Sequence, residues 1–311
     1  MTYTAPKGWT RQDNADATLF DARLKPNDKE NHSARIVVYK PIAAPRGMAA
    51  QFESEWRRQM APRGKPTDTT VAYYRGRLPG GVDAYYMGRF FARPNETQEL
   101  YSVMYLLDLG DRSQTIVATV IPVYEGVNYP AAVDGMAHFA LSQQLFPLLD
   151  SIRVPGRVAT GPLFAPADVA GSWQYNDGGY GGSFVNAATG TSAGAAVRGA
   201  SGDLVMRPDG SYVLKFGYYS FNPNSGANVQ QSGGHDGRYA LIDDVITWQP
   251  QRALGYDDRR KVIGAGTVQT AQGPRRLIML LSQKGGVFPP LVWVPLWNRH
   301  DGASLQWYIE N

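Results

Sequence analysis

Three sets of residues in this chain have types and spacings that suggest chemistry. The first is Gly190-Thr191-Ser192-Ala193-Gly194, which has the Gly-x-Ser-x-Gly form of a nucleophile elbow. The second is Asp-Gly-x-Tyr, at 177–180, 209–212 and 236–239, with a further Asp301-Gly302. Repeated Asp and Gly suit a calcium loop, a phosphate cradle or plain turns. The third is four histidines, His32, His138, His235 and His300.

Each set meets a structural requirement that the flanking sequence answers. A nucleophile elbow needs a strand before its serine and a helix after it. Ser192 lies instead in a Gly/Ala/Ser stretch, 186–202, whose composition predicts a mobile loop, so the esterase reading is rejected. An EF-hand loop alternates acidic ligands and ends in Glu, and none of the Asp-Gly segments does so. A phosphate loop needs a helix after its glycines, whereas strand-like residues follow here. Asp-Gly suits a type I′ hairpin, because Gly accepts positive φ, so these segments are expected to be turns that start strands. Asp243-Asp244 and Asp257-Asp258 are expected to be turn residues before they are metal ligands. No two histidines have metal spacing. His138 falls on or beside an apolar helix stripe, and His235 and His300 precede Asp-Gly, which suggests turns. One histidine serving as a haem ligand is the minor alternative. No catalytic residue and no metal site is assigned.

The elements expected to hold these residues divide the chain in two. Ten of the 34 glycines fall in 1–155 and 24 in 156–311, while six of the seven glutamates fall in the first half. The change comes at a Pro- and Gly-rich stretch, so 1–154 is expected to be one domain, 155–167 a linker and 168–311 a second domain. In the first, 48–60 carries Phe52, Trp56 and Met60 on one stripe, a short helix closed by Pro62. Residues 133–149 form a longer amphipathic helix that Pro147 is expected to kink or end. Residues 33–40 and four Tyr-, Val- and Ile-rich runs between the helices read as strands. The first two runs are joined at Pro79-Gly80-Gly81. This order predicts an α+β domain, an antiparallel sheet with helices packed on it. The second half reads as strands apart from a helical turn near 165–170. Tyr212, Leu214, Phe216 and Tyr218 share one face of a strand. Many such strands with Gly-rich turns argue for an all-β antiparallel barrel.

Ala170-Gly171-Ser172-Trp173 is similar to the Gly-x-Trp signature of lipocalin-type (calycin) barrels, and Arg207–Phe216 and Asp236–Pro250 look like strand pairs of bacterial lipocalin-like domains. The resemblance implies that Trp173 plugs one end of a barrel after a short helical turn. It also implies an arginine stacked on that Trp, for which Arg299 is the nearest candidate. In the first half, Tyr3-Thr4-Ala5-Pro6-Lys7-Gly8-Trp9 with the order of elements resembles the PsbP-like αβα sandwich, which implies protein binding more than catalysis.

Net charge is +4, about evenly spread over the halves, and no basic stripe is present, which argues against nucleic acid. There is no cysteine, hence no disulfide framework. No apolar run has the length of a membrane helix, so no integral membrane segment is expected. The start shows no leader peptide. A periplasmic or secreted setting is favoured if a leader was removed, and a cytoplasmic one otherwise. The candidate ligand- or partner-binding residues are the aromatics Tyr218, Tyr219, Phe221, Trp248, Tyr256, Trp293 and Trp297. Trp293 and Trp297 share a strand face while Val292, Val294 and Leu296 take the other, so both faces are apolar and one is expected to meet a second surface. The expected function is non-enzymatic binding of a protein partner or a small apolar ligand, without a cofactor, in a bacterial envelope or secretion setting. The alternatives are an enzyme with its site at the barrel mouth, using Arg and Tyr as acid and base, or a haem or lipid carrier.

Overall fold

In a computed structural model of the chain, the stripe Phe52, Trp56 and Met60 lies on the buried face of a helix, α1 (Met48–Met60). The structure describes residues 1–25, 31–44, 47–64, 71–92, 100–123, 134–156, 158–185, 192–222, 227–252, 259–270, 273–282 and 305–310. Within these, side chains are described except at 71–72, 134–136, 138–139, 176–185, 192–200, 219–222, 227–229, 268–270, 282 and 305–308. The described residues form two compact units, one of Met1–Leu163 and one from Phe164 onward.

In the first unit, β1 (Thr10–Asp13), β2 (Ala17–Leu24), β3 (His32–Tyr39) and β4 (Ile42–Ala43) precede α1. Then come β5 (Val71–Arg77), β6 (Asp83–Phe91), β7 (Leu100–Asp108), β8 (Arg112–Ile121) and α2 (Asp134–Asp150). The sheet order is β1-β2-β3-β8-β7-β6-β5, with β4 on β8, and every pairing is antiparallel. α1 packs its aromatic stripe on Met87, Phe91, Leu100, Met104, Leu106 and Val117. α2 packs on β8 and β3. β7 is buried at every position from Leu100 to Leu107, so both faces of the sheet's centre are covered. Such a strand reads as continuously apolar, as Tyr101 to Leu107 does.

The second unit opens with α3 (Pro166–Val169) and continues β9 (Gly171–Val185), β10 (Ser192–Met206), β11 (Ser211–Asn222), β12 (Ala227–Ile242), β13 (Val245–Pro250), β14 (Arg259–Thr270), β15 (Gly273–Ser282) and β16 (Leu305–Glu310). Each strand pairs antiparallel with the next, and β16 also pairs with β9, so the ladder of eight strands returns on itself. The two units share one loop design. In each of Leu78–Val82 and Arg207–Ser211 a Pro takes the second position. A glycine of positive φ, Gly81 at 76° or Gly210 at 80°, takes the fourth and donates its N–H to the first residue's carbonyl. That glycine needs a conformation that costs any residue with a Cβ.

Three expectations are corrected here. Only Asp209-Gly210 is a turn among the described Asp-Gly pairs. Asp177-Gly178 lies inside β9, where Arg198 pairs Tyr180 and Ala200 pairs Asp177, so β9 carries one extra residue as a bulge. Asp236-Gly237 lies inside β12, paired on both sides, and His235 is a strand residue too. The 192–202 stretch is strand β10 and not a loop, since small residues there match the glycines of β9. Pro147 falls in the last turn of α2, which runs on to Asp150, so its missing N–H forfeits a single bond. Asp243-Asp244 is a turn as expected, with φ of 49° and 66°, the two positive values that join tightly twisted strands. The 155–167 stretch is tied to the first unit as far as Gly161. Ala159 N–H donates to the Gly81 carbonyl (2.7 Å) and Arg77 to the Gly161 carbonyl (3.0 Å).

Candidate functional site

Gly-x-Trp begins β9, and α3 stands just before it. Asp168 accepts a hydrogen bond from Ala165 N–H (2.8 Å), which starts α3. The turn brings the Val169 carbonyl back over the strand, where it accepts a hydrogen bond from Trp173 Nε1–H (2.8 Å). Trp173 is fully buried. Arg276, on β15, lies over its ring with the guanidinium carbon 4.9 Å from the centroid. The same guanidinium donates to the Ala170 carbonyl (2.6 Å) and, through Nε and Nη2, to both Glu310 oxygens (2.9 and 2.8 Å). Arg299 lies outside the described residues.

From this end the buried face of the strands can be followed level by level through the register. The first level holds Met206 and Tyr212, which pair; Trp248 stands one step before this level in the register, with its ring centroid 4.5 Å from that of Tyr212. Tyr239 pairs with Trp248 and donates its hydroxyl to the Arg207 carbonyl (3.0 Å); burial raises its pKa, with Asp209 adding to the shift. The second level holds Trp173, Leu204, Leu214 and His235 in consecutive pairings. His235 Nδ1 shares a hydrogen bond with Tyr212 hydroxyl (2.7 Å), and its ring meets the Trp248 ring edge-on at 6.4 Å. The third level is Tyr175, Gly202, Phe216 and Gly233. The fourth continues through Ala200, Tyr218 and Gln231.

Burial changes sharply along this face. On β11, Tyr212 and Leu214 are 1% and 3% exposed, whereas Phe216 and Tyr218 are 41% and 36% exposed. The alternation places all four on one side of the strand. Phe216 stands between two glycines, and a Cβ on Gly233 would come within 2.8 Å of its ring. A large side chain flanked by glycines leaves room beside it that bulky neighbours would have filled. A cleft of about 200 Å³ near this level touches Tyr175, Gly202 and Phe216, but Gln174, Ser201, Asp203, Lys215 and Gly217, which also line it, belong to the opposite face of the strands. The lower two levels are packed and the upper two are open.

Of the candidate binding aromatics, Tyr218 and Trp248 are described. They share a face but are not brought together, since Tyr218 pairs Gln231 and Trp248 pairs Tyr239, eight residues along β12 and roughly 26 Å of strand apart. Tyr219 and Phe221 lie on β11 at positions alternating with Tyr218, and their side chains are outside the described residues. Tyr256, Trp293 and Trp297 lie outside the described residues. Tyr175 and His235 were not singled out for this face, and Phe216, expected on it beside Tyr218, was not among the candidate binding residues. The alternation through Tyr212 already held the signal for Phe216. Counting back by twos from Tyr239 gives His235.

Buried polar groups in the first unit are structural. Glu55 accepts from Arg58 (2.6 Å) and from the Thr115 hydroxyl (3.2 Å). Arg63 reaches Ser102 (3.1 Å) and Thr119 (3.4 Å), and burial lowers its pKa. Tyr74, Tyr86 and Tyr105 stack across three strands with centroids 5.3 and 5.2 Å apart. Burial pushes Tyr74 up to about 12 and raises Tyr86, Tyr101 and Tyr105 further. Among the described residues no group of three or more His, Asp or Glu could hold a metal, and no helix is long and apolar enough to cross a membrane.

The two units thus define a mostly antiparallel β protein with few helices. No protein-family model matches the chain, and no curated protein matches it by sequence.

Proposed function

We propose that this chain is a non-enzymatic binding protein whose second unit, a lipocalin-like barrel, takes a small apolar ligand at the end away from Trp173. The first unit, in this reading, is a PsbP-like sandwich. The observation that carries the proposal is the row on β11, where the same face passes from buried Tyr212 and Leu214 to exposed Phe216 and Tyr218. Exposing two aromatics on an inward row costs hydrophobic stabilisation of about 25 cal/mol per Å² left in water. A ligand seated there recovers it, and pockets for small molecules are typically apolar with a few polar groups. Tyr212 and His235 supply such groups at the floor.

Native mass spectrometry of freshly purified protein tests whether a small molecule travels with the chain. Titration with a long-chain fatty acid and with a retinoid, followed by tryptophan emission, tests binding directly. Saturable one-to-one binding is expected. Phe216→Glu and Tyr218→Glu are each expected to weaken it about tenfold or more while leaving the melting temperature near that of the parent, as for other changes at exposed positions. Absence of saturable binding, or binding indifferent to both variants, overturns the reading.

A further inference from the structure

We propose that a groove in the first unit binds a small polyanion that carries a flat ring. The groove holds about 350 Å³ and lies between the Pro6–Trp9 turn, the end of β2 and α2. That volume is at the lower end of the range for small-molecule sites. The inference concerns a different unit from the apolar site and stands or falls without it.

Three cations line the groove, Lys7 on the turn and Arg23 and Lys25 at the end of β2. No carboxylate lines it among the described residues. The acids of β1 and β2 are held elsewhere: Asp13 accepts from Arg11 (3.0 Å) and Asp21 from Arg35 (2.7 Å). Like charges gathered in one concavity repel each other, and a bound anion relieves that repulsion. Arg23 offers a planar fork that matches carboxylate or phosphate oxygens, and the two lysines add point charges.

The remaining lining residues specify more than charge. Trp9 is partly buried on one wall, and its indole offers a face on which a planar ring or a ring's CH face packs. Gln143 and Gln144 of α2 also line the groove, with amides that both donate and accept, which suits hydroxyls or base edges. The turn needs Gly8, whose φ is 82°, to place Lys7 and Trp9 side by side at the groove. A nucleoside diphosphate and a uronate-bearing disaccharide share this chemistry.

Calorimetric titration of the whole protein at low salt, with ADP free of magnesium, a glucuronate disaccharide and pyrophosphate, tests the proposal. At least one ring-bearing anion is expected to bind saturably and about tenfold more tightly than pyrophosphate, equal to about 1.4 kcal/mol. Which of the two does so identifies the ring. Arg23→Gln and Lys7→Gln are each expected to weaken that binding about tenfold or more, and Trp9→Leu to abolish the preference over pyrophosphate. Should Trp9→Leu not fold, the two cation variants, both at exposed positions, still decide the matter. The proposal is overturned if neither ring-bearing anion binds, if pyrophosphate binds as well as they do, or if Arg23→Gln leaves affinity unchanged.

Discussion

The guanidinium of Arg276 lies 4.9 Å over the indole of Trp173, although the two residues stand on different strands far apart in sequence. The same guanidinium grips Glu310 on β16 and the carbonyl of Ala170 beside α3. One side chain therefore ties together β9, β15, β16 and the turn before β9. The indole in turn fixes that turn through Val169. The end of the ring around Trp173 is a single interlocked assembly.

Trp173→Ala is expected to cost about 3–5 kcal/mol, the usual range for emptying a buried aromatic site. That is a large share of the roughly 5–15 kcal/mol that holds a domain together. Trp173→Phe keeps most of the volume but leaves the Val169 carbonyl without its donor, so it is expected to fall between. Urea unfolding of the two variants checks the order. A Trp173→Ala protein as stable as the parent would contradict the packing described.

Arg276→Lys is expected to be nearly as damaging as Arg276→Ala, at about 1–2 kcal/mol. Lysine keeps the charge but cannot lie flat on the indole or bind Glu310 through two nitrogens. The Arg276–Glu310 pair itself is partly exposed, at 44% and 32%, so its own coupling is expected to be no more than about 1 kcal/mol. A double-mutant cycle with Glu310→Gln measures that coupling separately from the loss of the indole contact.

Stability of the first unit is expected to fall steeply above pH 10. In the unfolded chain tyrosine loses its proton near pH 10. Folded, Tyr74 holds its proton to about pH 12, and Tyr86, Tyr101 and Tyr105 hold theirs longer, because burial penalises the phenolate. Between these limits the unfolded state binds fewer protons than the folded one, so unfolding becomes easier as pH rises. Each such tyrosine contributes a slope of about 1.4 kcal/mol per pH unit, and the stabilisation is fully present below pH 10. Tyrosinate absorbance is expected to rise for these four only as the unit unfolds. A smooth titration of all tyrosines near pH 10 with the fold intact would count against their burial.

Gly210→Ala is expected to destabilise the second unit by about 1–2 kcal/mol through backbone strain alone. A Cβ there would meet its neighbours at 3.4 Å, an ordinary contact, so crowding does not confuse the result. Gly210→Asn is expected to cost less, since Asn tolerates positive φ better than Ala. Equal costs for the two would show that φ is not the controlling factor.

Much of the local structure was legible because periodicity reports burial directly. The stripe of Phe52, Trp56 and Met60 gives α1, and the alternation from Tyr212 to Tyr218 gives β11. Pro79-Gly80-Gly81 gives the β5–β6 hairpin. β2 went unread, although Ala17, Phe20 and Leu24 are buried, because that spacing, i, i+3 and i+7, is the spacing of a helix face and not the alternation of a strand. Two Asp-Gly pairs were misread for a related reason. Glycine inside a strand and glycine in a turn look alike until the partner strand is known. Arg276 could not be matched to Trp173 because their contact depends on which strands meet after β15 and β16 turn back to β9. His235 was read from its neighbours Asp236 and Gly237, and the strand running through all three overrides that local signal.

The return of β16 to β9 also governs how the second unit folds. Among the described residues, seven of its eight pairings join strands that are consecutive in the chain, so each can form with only the connecting segment to close. The eighth joins Gln174 to Ile309, nearly the whole length of the unit apart. Closing so long a loop costs chain entropy that near neighbours do not, and contacts of large sequence separation slow folding. A growing chain can lay down β9 to β15 in order as they emerge. Until residues 305–310 arrive, β9 has one unpaired edge, and such edges invite pairing with other chains. The last strand to be made is thus the one that removes the exposed edge, and the Arg276–Glu310 contact beside Trp173 forms at that same step.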